Sequence, residues 1–162
     1  TVAIQTNQQP NWTGYEHILQ RQLKPEPRAD IIEFFEQNSI IPNAMIDISD
    51  GLSSEILHIC KNSVCGAIIY EEHLPIDLAT NNLAIEMNIG PTTAAMNGGE
   101  DYELLFTVDP KYRELLEQNE SISIIGNITN VKGQAELIAR DGTSFPIIAQ
   151  GWNSFNDKNE NI

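Results

Sequence analysis

The sequence is short of positive charge. Nine Lys and Arg stand against 23 Asp and Glu in 162 residues, a formal net charge of −14. A surface that acidic repels the backbone of nucleic acids and anionic lipid headgroups, so neither nucleic acid nor a membrane is an expected partner. If the ligand carries phosphate, a cation must come with it, which points toward a metal ion. Cysteine is also scarce, with Cys60 and Cys65 alone. One C-x4-C pair builds no disulfide framework and lacks the second pair of ligands that a structural zinc needs. Two reduced thiols in a cytoplasmic protein are expected. His17, His58 and His73 form no metal-spaced set. No apolar run approaches the roughly 18 residues of a membrane span, and runs such as 67–70 are strand-sized. No secretory leader pattern is present. Neither G-x-x-x-x-G-K-[ST] nor G-x-G-x-x-G occurs, so the two common phosphate loops are missing. No Ser-His-Asp or Cys-His order suggests a nucleophile.

What is present is an ordinary globular balance, with 41% hydrophobic and 20% charged residues. That composition supports a folded core, and the length fits one domain with a tail. The chain starts Thr1-Val2-Ala3, which suggests a piece of a longer polypeptide or a trimmed chain. Residues 1–14 are polar, with Pro10 and Gly14, and read as a linker. A short helix or turn over 15–24 closes at Pro25 and Pro27. Residues 1–27 therefore read as a connector, 28–155 as the domain and 156–162 as a disordered tail. Inside the domain a helix is expected over 28–38, with Ile31, Ile32, Phe34 and Phe35 on one stripe. A buried strand follows over 44–48. Leu52, Ile56 and Ile59 then recur at helical spacing, giving an amphipathic helix that ends near residue 62. Strands are expected over 65–70, 102–108, 121–128, 135–140 and 144–148. Helical segments are expected after Pro75, Pro91 and Pro110. Asp141-Gly142 supplies a tight turn between the last two strands. Six strands and four or five helices in mixed order make an α/β (α+β) layered sandwich with a mixed sheet.

Three places carry candidate chemistry. Asp47-Ile48-Ser49-Asp50-Gly51-Leu52 sits at a strand-to-helix turn. Ser49 or Asp50 is placed to cap the helix. The free N–H groups of the first turn also attract anions, and aspartates there reconcile with a phosphate only through a cation such as Mg2+. An ordinary cap with a turn glycine is the competing reading. Asn97-Gly98-Gly99-Glu100-Asp101-Tyr102-Glu103 pairs a glycine loop, whose backbone can approach a ligand closely, with acids at the mouth of a strand. A surface turn with solvated acids is the alternative there. Gly151-Trp152-Asn153-Ser154-Phe155 places two aromatic residues after the last strand. They either pack back on the domain or cover a flat ligand.

Together these segments resemble one family. Residues 45–54 (Met-Ile-Asp-Ile-Ser-Asp-Gly-Leu-Ser-Ser) with Leu57-His58-Ile59, then 98–106 (Gly-Gly-Glu-Asp-Tyr-Glu-Leu-Leu-Phe), then Gly151-Trp152 with Phe155, resemble the C-terminal half of thiamine-monophosphate kinases. The approach through Gln20-Arg21-Gln22-Leu23-Lys24-Pro25 and Pro27-Arg28 resembles the family too. The resemblance runs from about residue 15 to 155. It implies a fold shared with aminoimidazole ribonucleotide synthetase and selenophosphate synthetase, in two-domain proteins that dimerise through the N-terminal domain. It implies transfer of the ATP γ-phosphoryl group to thiamine phosphate, giving thiamine diphosphate, with several Mg2+ ions between the domains. Carried over residue by residue, it makes Asp47 and Asp50 magnesium ligands and Ser49 a nucleotide-phosphate contact. It makes Glu100 a thiamine-phosphate contact and Trp152 the aromatic residue against the substrate's ring. A carboxylate and an aromatic face suit a cationic thiazolium. Glu55 stands where members often carry Asp, and it receives no role. The family's remaining metal ligands belong to an N-terminal half that these residues do not include, so residues 1–162 alone are expected to be inactive. Another ATP-dependent synthetase of the superfamily, or a non-catalytic ligand-binding domain, are the alternatives.

Overall fold

The computed structural model describes residues 14–149. Helix α1 (Glu16–Leu23) precedes the proline-rich connector, and α2 (Ala29–Gln37) follows it. Strand β1 (Ala44–Asp47) leads through the acidic turn into α3 (Leu52–Ser63), and β2 (Gly66–Tyr70) comes next. A 3-10 turn over Glu71–His73, α4 (Leu78–Glu86) and α5 (Pro91–Asn97) lead into β3 (Leu104–Thr107). A second 3-10 turn (Pro110–Tyr112) opens α6 (Arg113–Glu117), and β4 (Gly126–Thr129), β5 (Ala135–Ile138) and β6 (Ser144–Pro146) complete the described elements.

The six strands divide between two sheets. β1 and β3 form an antiparallel ribbon, with Asp47 opposite Leu104. The other four run in the order β4-β2-β5-β6. Within that sheet β2 pairs antiparallel with β4 and parallel with β5, and β5 pairs antiparallel with β6. The larger sheet is therefore mixed, as expected, while the ribbon stands apart from it. The expected strand over 121–128 is confined to Gly126–Thr129. Ile122 and Ile124 instead pack against the second core described below.

Alternation along the chain explains the layers. On α3, Leu52, Ile56, Ile59 and Cys60 are buried, which is the i, i+4, i+7, i+8 stripe of one helical face. Leu52, Ile56 and Cys60 pack on Ala67 and Ile69 of β2 and Ala135 of β5, with Met96, Leu74 and Ile147 closing the cluster. A second core joins Ile31 and Phe35 of α2 to Ile40 and Leu116, with Leu104 and Phe106 of β3 against it. Phe35 and Phe106 meet edge to face, ring centres 4.9 Å apart. Leu105 points the other way, into the first core. The ribbon is thus held between both cores by the period-2 alternation of one strand. Burying such a side chain contributes roughly 1.5–3 kcal/mol. Cys60 is buried and Cys65 half-buried, and both are free thiols. Burial pushes the Cys60 thiol up to about 11, with Cys65 beside it adding to the effect, so its place is in the core.

Candidate functional site

The acidic turn begins where β1 ends. Asp47 is the last paired residue of the ribbon, and Gly51 occupies the N-cap position of α3. Gly51 has φ +114° and ψ 149°, a region essentially closed to residues with a side chain. A Cβ there would also lie 3.1 Å from the backbone of Asn97. The helix has no side-chain cap at Gly51, so neither Ser49 nor Asp50 plays the capping role expected of it. A carboxylate from inside the helix reaches back instead. Glu55 Oε1 accepts a hydrogen bond from Asp50 N–H at 3.1 Å and another from the Ser49 hydroxyl at 3.4 Å. Glu55 is only 2% exposed. Sequence reading gave it no role. The signal that would have found it is an acid four residues after the N-cap position, on the helix's inward stripe.

With Glu55 tying the turn to the helix, the Asp47 and Asp50 side chains stay outside. Both residues are exposed. Among the described residues neither carboxylate has a hydrogen-bond or ion-pair partner. Ser49 is half-buried between them.

The glycine loop, 50 residues further on, lies directly against this turn. Ile48 N–H donates to Glu103 O at 2.8 Å, Tyr102 N–H to Ile48 O at 2.9 Å, and Glu100 N–H to Ser49 O at 2.7 Å. Gly99 permits the approach, because a Cβ on it would meet Ser49 O at 2.6 Å. Glu100 and Tyr102 take left-handed backbone conformations, with φ of +67° and +52°. That is strained for non-glycine residues and is held by these bonds. The strand expected to start at Tyr102 therefore starts at Leu104. Two of the three segments singled out in the sequence are thus one structure, with Asp47, Ser49, Asp50 and Glu100 on adjoining loops. The third does not enter it: Trp152 and Phe155 lie outside the described residues.

Nearby charges are already committed. Arg21 and Arg28 both bind the Glu103 carboxylate, and Arg28 also holds Asp30 at 2.8 Å. The Asp30 and Glu103 carboxylates hold the Arg28 guanidinium above its ordinary value against the opposing effect of burial, with Asp30 the larger cause. The connector is anchored to the site loop by these pairs, and neither arginine is spare for a phosphate.

The donor set limits which metal fits. Among the described residues no three His, Cys, Asp or Glu gather as a group that could hold an ion. Zinc and calcium take more protein ligands than this. Mg2+ is bound through one or two carboxylates, with water and phosphate oxygens completing its shell. Two unengaged aspartates on one turn fit that chemistry. Beside them, Asn97 Oδ1 is a buried acceptor without a partner among the described residues.

A mixed α/β sandwich whose acidic strand-to-helix turn is laced to a glycine loop defines the class. This is a domain with the fold of the aminoimidazole ribonucleotide synthetase-like proteins. The solved E. coli HypE, a hydrogenase maturation protein, shares the fold, with a TM-score of 0.62, 17% identity, and 76% of this chain and 40% of that one covered. No protein-family model matches the chain. The thiamine-monophosphate kinase of Haemophilus influenzae is 34% identical over 150 residues, covering 86% of this chain and 43% of the relative. A solved structure described as AaThiL complexed with AMPPCP and TMP matches with a TM-score of 0.72 and 26% identity, over 94% of this chain and 45% of that one. The chain belongs to the thiamine-monophosphate kinase family and corresponds to its C-terminal domain. It spans less than half the length of the curated relatives it matches.

Proposed function

We propose that this chain is the C-terminal domain of a kinase that moves the γ-phosphoryl group of ATP to thiamine phosphate. The bond between the β-phosphate's bridging oxygen and the γ-phosphorus breaks. An oxygen of thiamine phosphate bonds to that phosphorus, leaving ADP and thiamine diphosphate. The acceptor oxygen is already ionised, so the reaction needs no general base from the protein. Positioning and charge neutralisation are what the protein has to supply.

The observation that carries this reading is the lacing of the acidic turn to the Gly98-Gly99 loop. It comes in a chain that shares a third of its residues with a curated thiamine-monophosphate kinase over 150 positions. The AaThiL structure complexed with AMPPCP, an ATP analogue, and TMP supports the pair of substrates. Asp47 and Asp50 would hold Mg2+, which neutralises phosphate charge when bound. Ser49 would face the nucleotide phosphates. Glu100 and Trp152 would face thiamine phosphate, through a carboxylate and an aromatic surface suited to its cationic ring. Residues 1–27 would connect to an N-terminal domain of the same polypeptide, residues 28–155 would form the C-terminal domain, and residues 156–162 its tail. The whole protein would be a cytoplasmic homodimer.

The test is product formation. The full-length polypeptide, incubated with Mg2+, ATP and thiamine phosphate, should yield thiamine diphosphate by chromatography. Asp47→Asn with Asp50→Asn should lower kcat by about 100-fold or more. Residues 1–162 alone should give no product. A folded full-length protein that binds MgATP without making thiamine diphosphate would overturn the assignment in favour of another ATP-dependent reaction.

A further inference from the structure

We propose that Glu55 is a positioning residue for the acidic turn, fixing the direction in which Ser49 and Asp50 face their ligand. This rests on the functional reading above. A carboxylate at 2% exposure, in a helix whose buried stripe is Leu52, Ile56, Ile59 and Cys60, is costly unless partners satisfy it. Its partners are both in the turn: Asp50 N–H and the Ser49 hydroxyl. Glu55 grips the turn at a third point, because its own N–H donates to Gly51 O at 3.2 Å. The residue therefore closes a ring from Asp50 through Gly51 and back, at a helix start with no side-chain cap.

Two consequences follow for the site. The hydrogen bond to its N–H fixes the Asp50 peptide plane, and with it the direction of the Asp50 side chain. The Ser49 hydroxyl proton is directed inward to Glu55, so the oxygen's lone pairs face outward. Ser49 is then presented as an acceptor, so it meets the nucleotide phosphates through a metal-bound water or another donor. Glu55 touches no ligand in this arrangement and acts only through the turn.

Two variants test this in the full-length protein. Glu55→Met keeps the shape without an acceptor, and Glu55→Gln keeps the acceptor without the charge. Hydrogen exchange at the Asp50 amide should speed up at least tenfold in Glu55→Met and about threefold in Glu55→Gln. The Mg2+ concentration for half-maximal ATP binding, read by calorimetry, should rise at least fivefold in Glu55→Met. Melting temperature and exchange across β2, β4 and β5 should hold, which separates positioning from general loosening. Unchanged Asp50 exchange and unchanged Mg2+ dependence in a folded variant would overturn the proposal. If Glu55→Met does not fold, the same readings on Glu55→Gln decide it. Absence of thiamine diphosphate from the wild-type protein would sink the functional reading alone, since Asp50 exchange tests Glu55 without turnover.

Discussion

Placing a methyl group on Gly99 should pry the two site loops apart. A Cβ there would lie 2.6 Å from Ser49 O and 3.4 Å from the Asp50 carbonyl carbon, both backbone atoms that cannot swing away. Relief requires the Glu100 loop to withdraw from the turn, which breaks the 2.7 Å bond from Glu100 N–H to Ser49 O. The lost hydrogen bond costs about 1 kcal/mol. The overpacking that remains adds about 1–3 kcal/mol. The expected destabilisation of Gly99→Ala is therefore about 2–4 kcal/mol, or a fall in melting temperature of roughly 4–16 °C for a chain of this size. Gly90→Ala is the control. Gly90 has φ −63°, and its added Cβ would meet only the Thr93 side chain, at 3.3 Å, so its effect should stay within about 1 kcal/mol. Urea and thermal unfolding of the 162-residue chain measure both variants, and the Ser49 and Glu100 amide shifts show whether the loops have parted. A Gly99→Ala protein as stable as Gly90→Ala, with those amides unmoved, would refute the lacing.

Two further outcomes follow from the electrostatics. Glu103→Gln removes the charge that anchors both Arg21 and Arg28, groups that are partly exposed, so it should cost about 1 kcal/mol. The difference from wild type should shrink in 1 M salt, and a loss independent of salt would count against an ionic anchor. Glu71 sits below the ordinary carboxylate range because the Thr92 hydroxyl donates to it at 2.5 Å, helped by Arg140 N–H at 3.0 Å. A lowered carboxyl value stabilises the fold above the unfolded-state value of about 4.3, and that contribution fades as pH falls through the folded value. Thr92→Val should therefore narrow the stability difference between pH 6 and pH 3, measured by urea titration, and an unchanged difference would contradict the assignment.

Much of this molecule was legible in its residues. The stripe of Leu52, Ile56 and Ile59 announced α3, and the proline at position 91 announced α5, because hydrophobic period and fixed φ act over a few residues. The Asp141-Gly142 turn formed between β5 and β6, with Gly142 at φ +84°. Both segments of the described site were visible for the same reason, since acids and paired glycines at the ends of strands are local patterns. The start of β3 was not legible. Tyr102 has the alternation of a strand, but its N–H is taken by Ile48 O across 54 residues of chain, and its φ of +52° ends the pairing there. The capping expected of Ser49 or Asp50 also failed. Both residues have the chemistry, yet the helix begins one residue later, with Gly51 at the N-cap, so Ser49 and Asp50 stand before the capping position.

The sequence by itself determined the element types, the inward faces of α3 and β3, and which acids deserved scrutiny. Those properties depend on neighbours three or four residues away, and side-chain period records them. Only the tertiary structure decided that the six strands form a ribbon and a separate mixed sheet, and that the acidic turn and the glycine loop are one surface. It also decided that Glu55 turns inward while Asp47 and Asp50 stay out. The joining of turn and loop depends on backbone groups about 50 residues apart satisfying one another's hydrogen bonds, a requirement that every non-proline residue carries equally and that no residue's identity encodes, while Glu55 turns inward to the Asp50 N–H and Ser49 hydroxyl that the folded turn offers it.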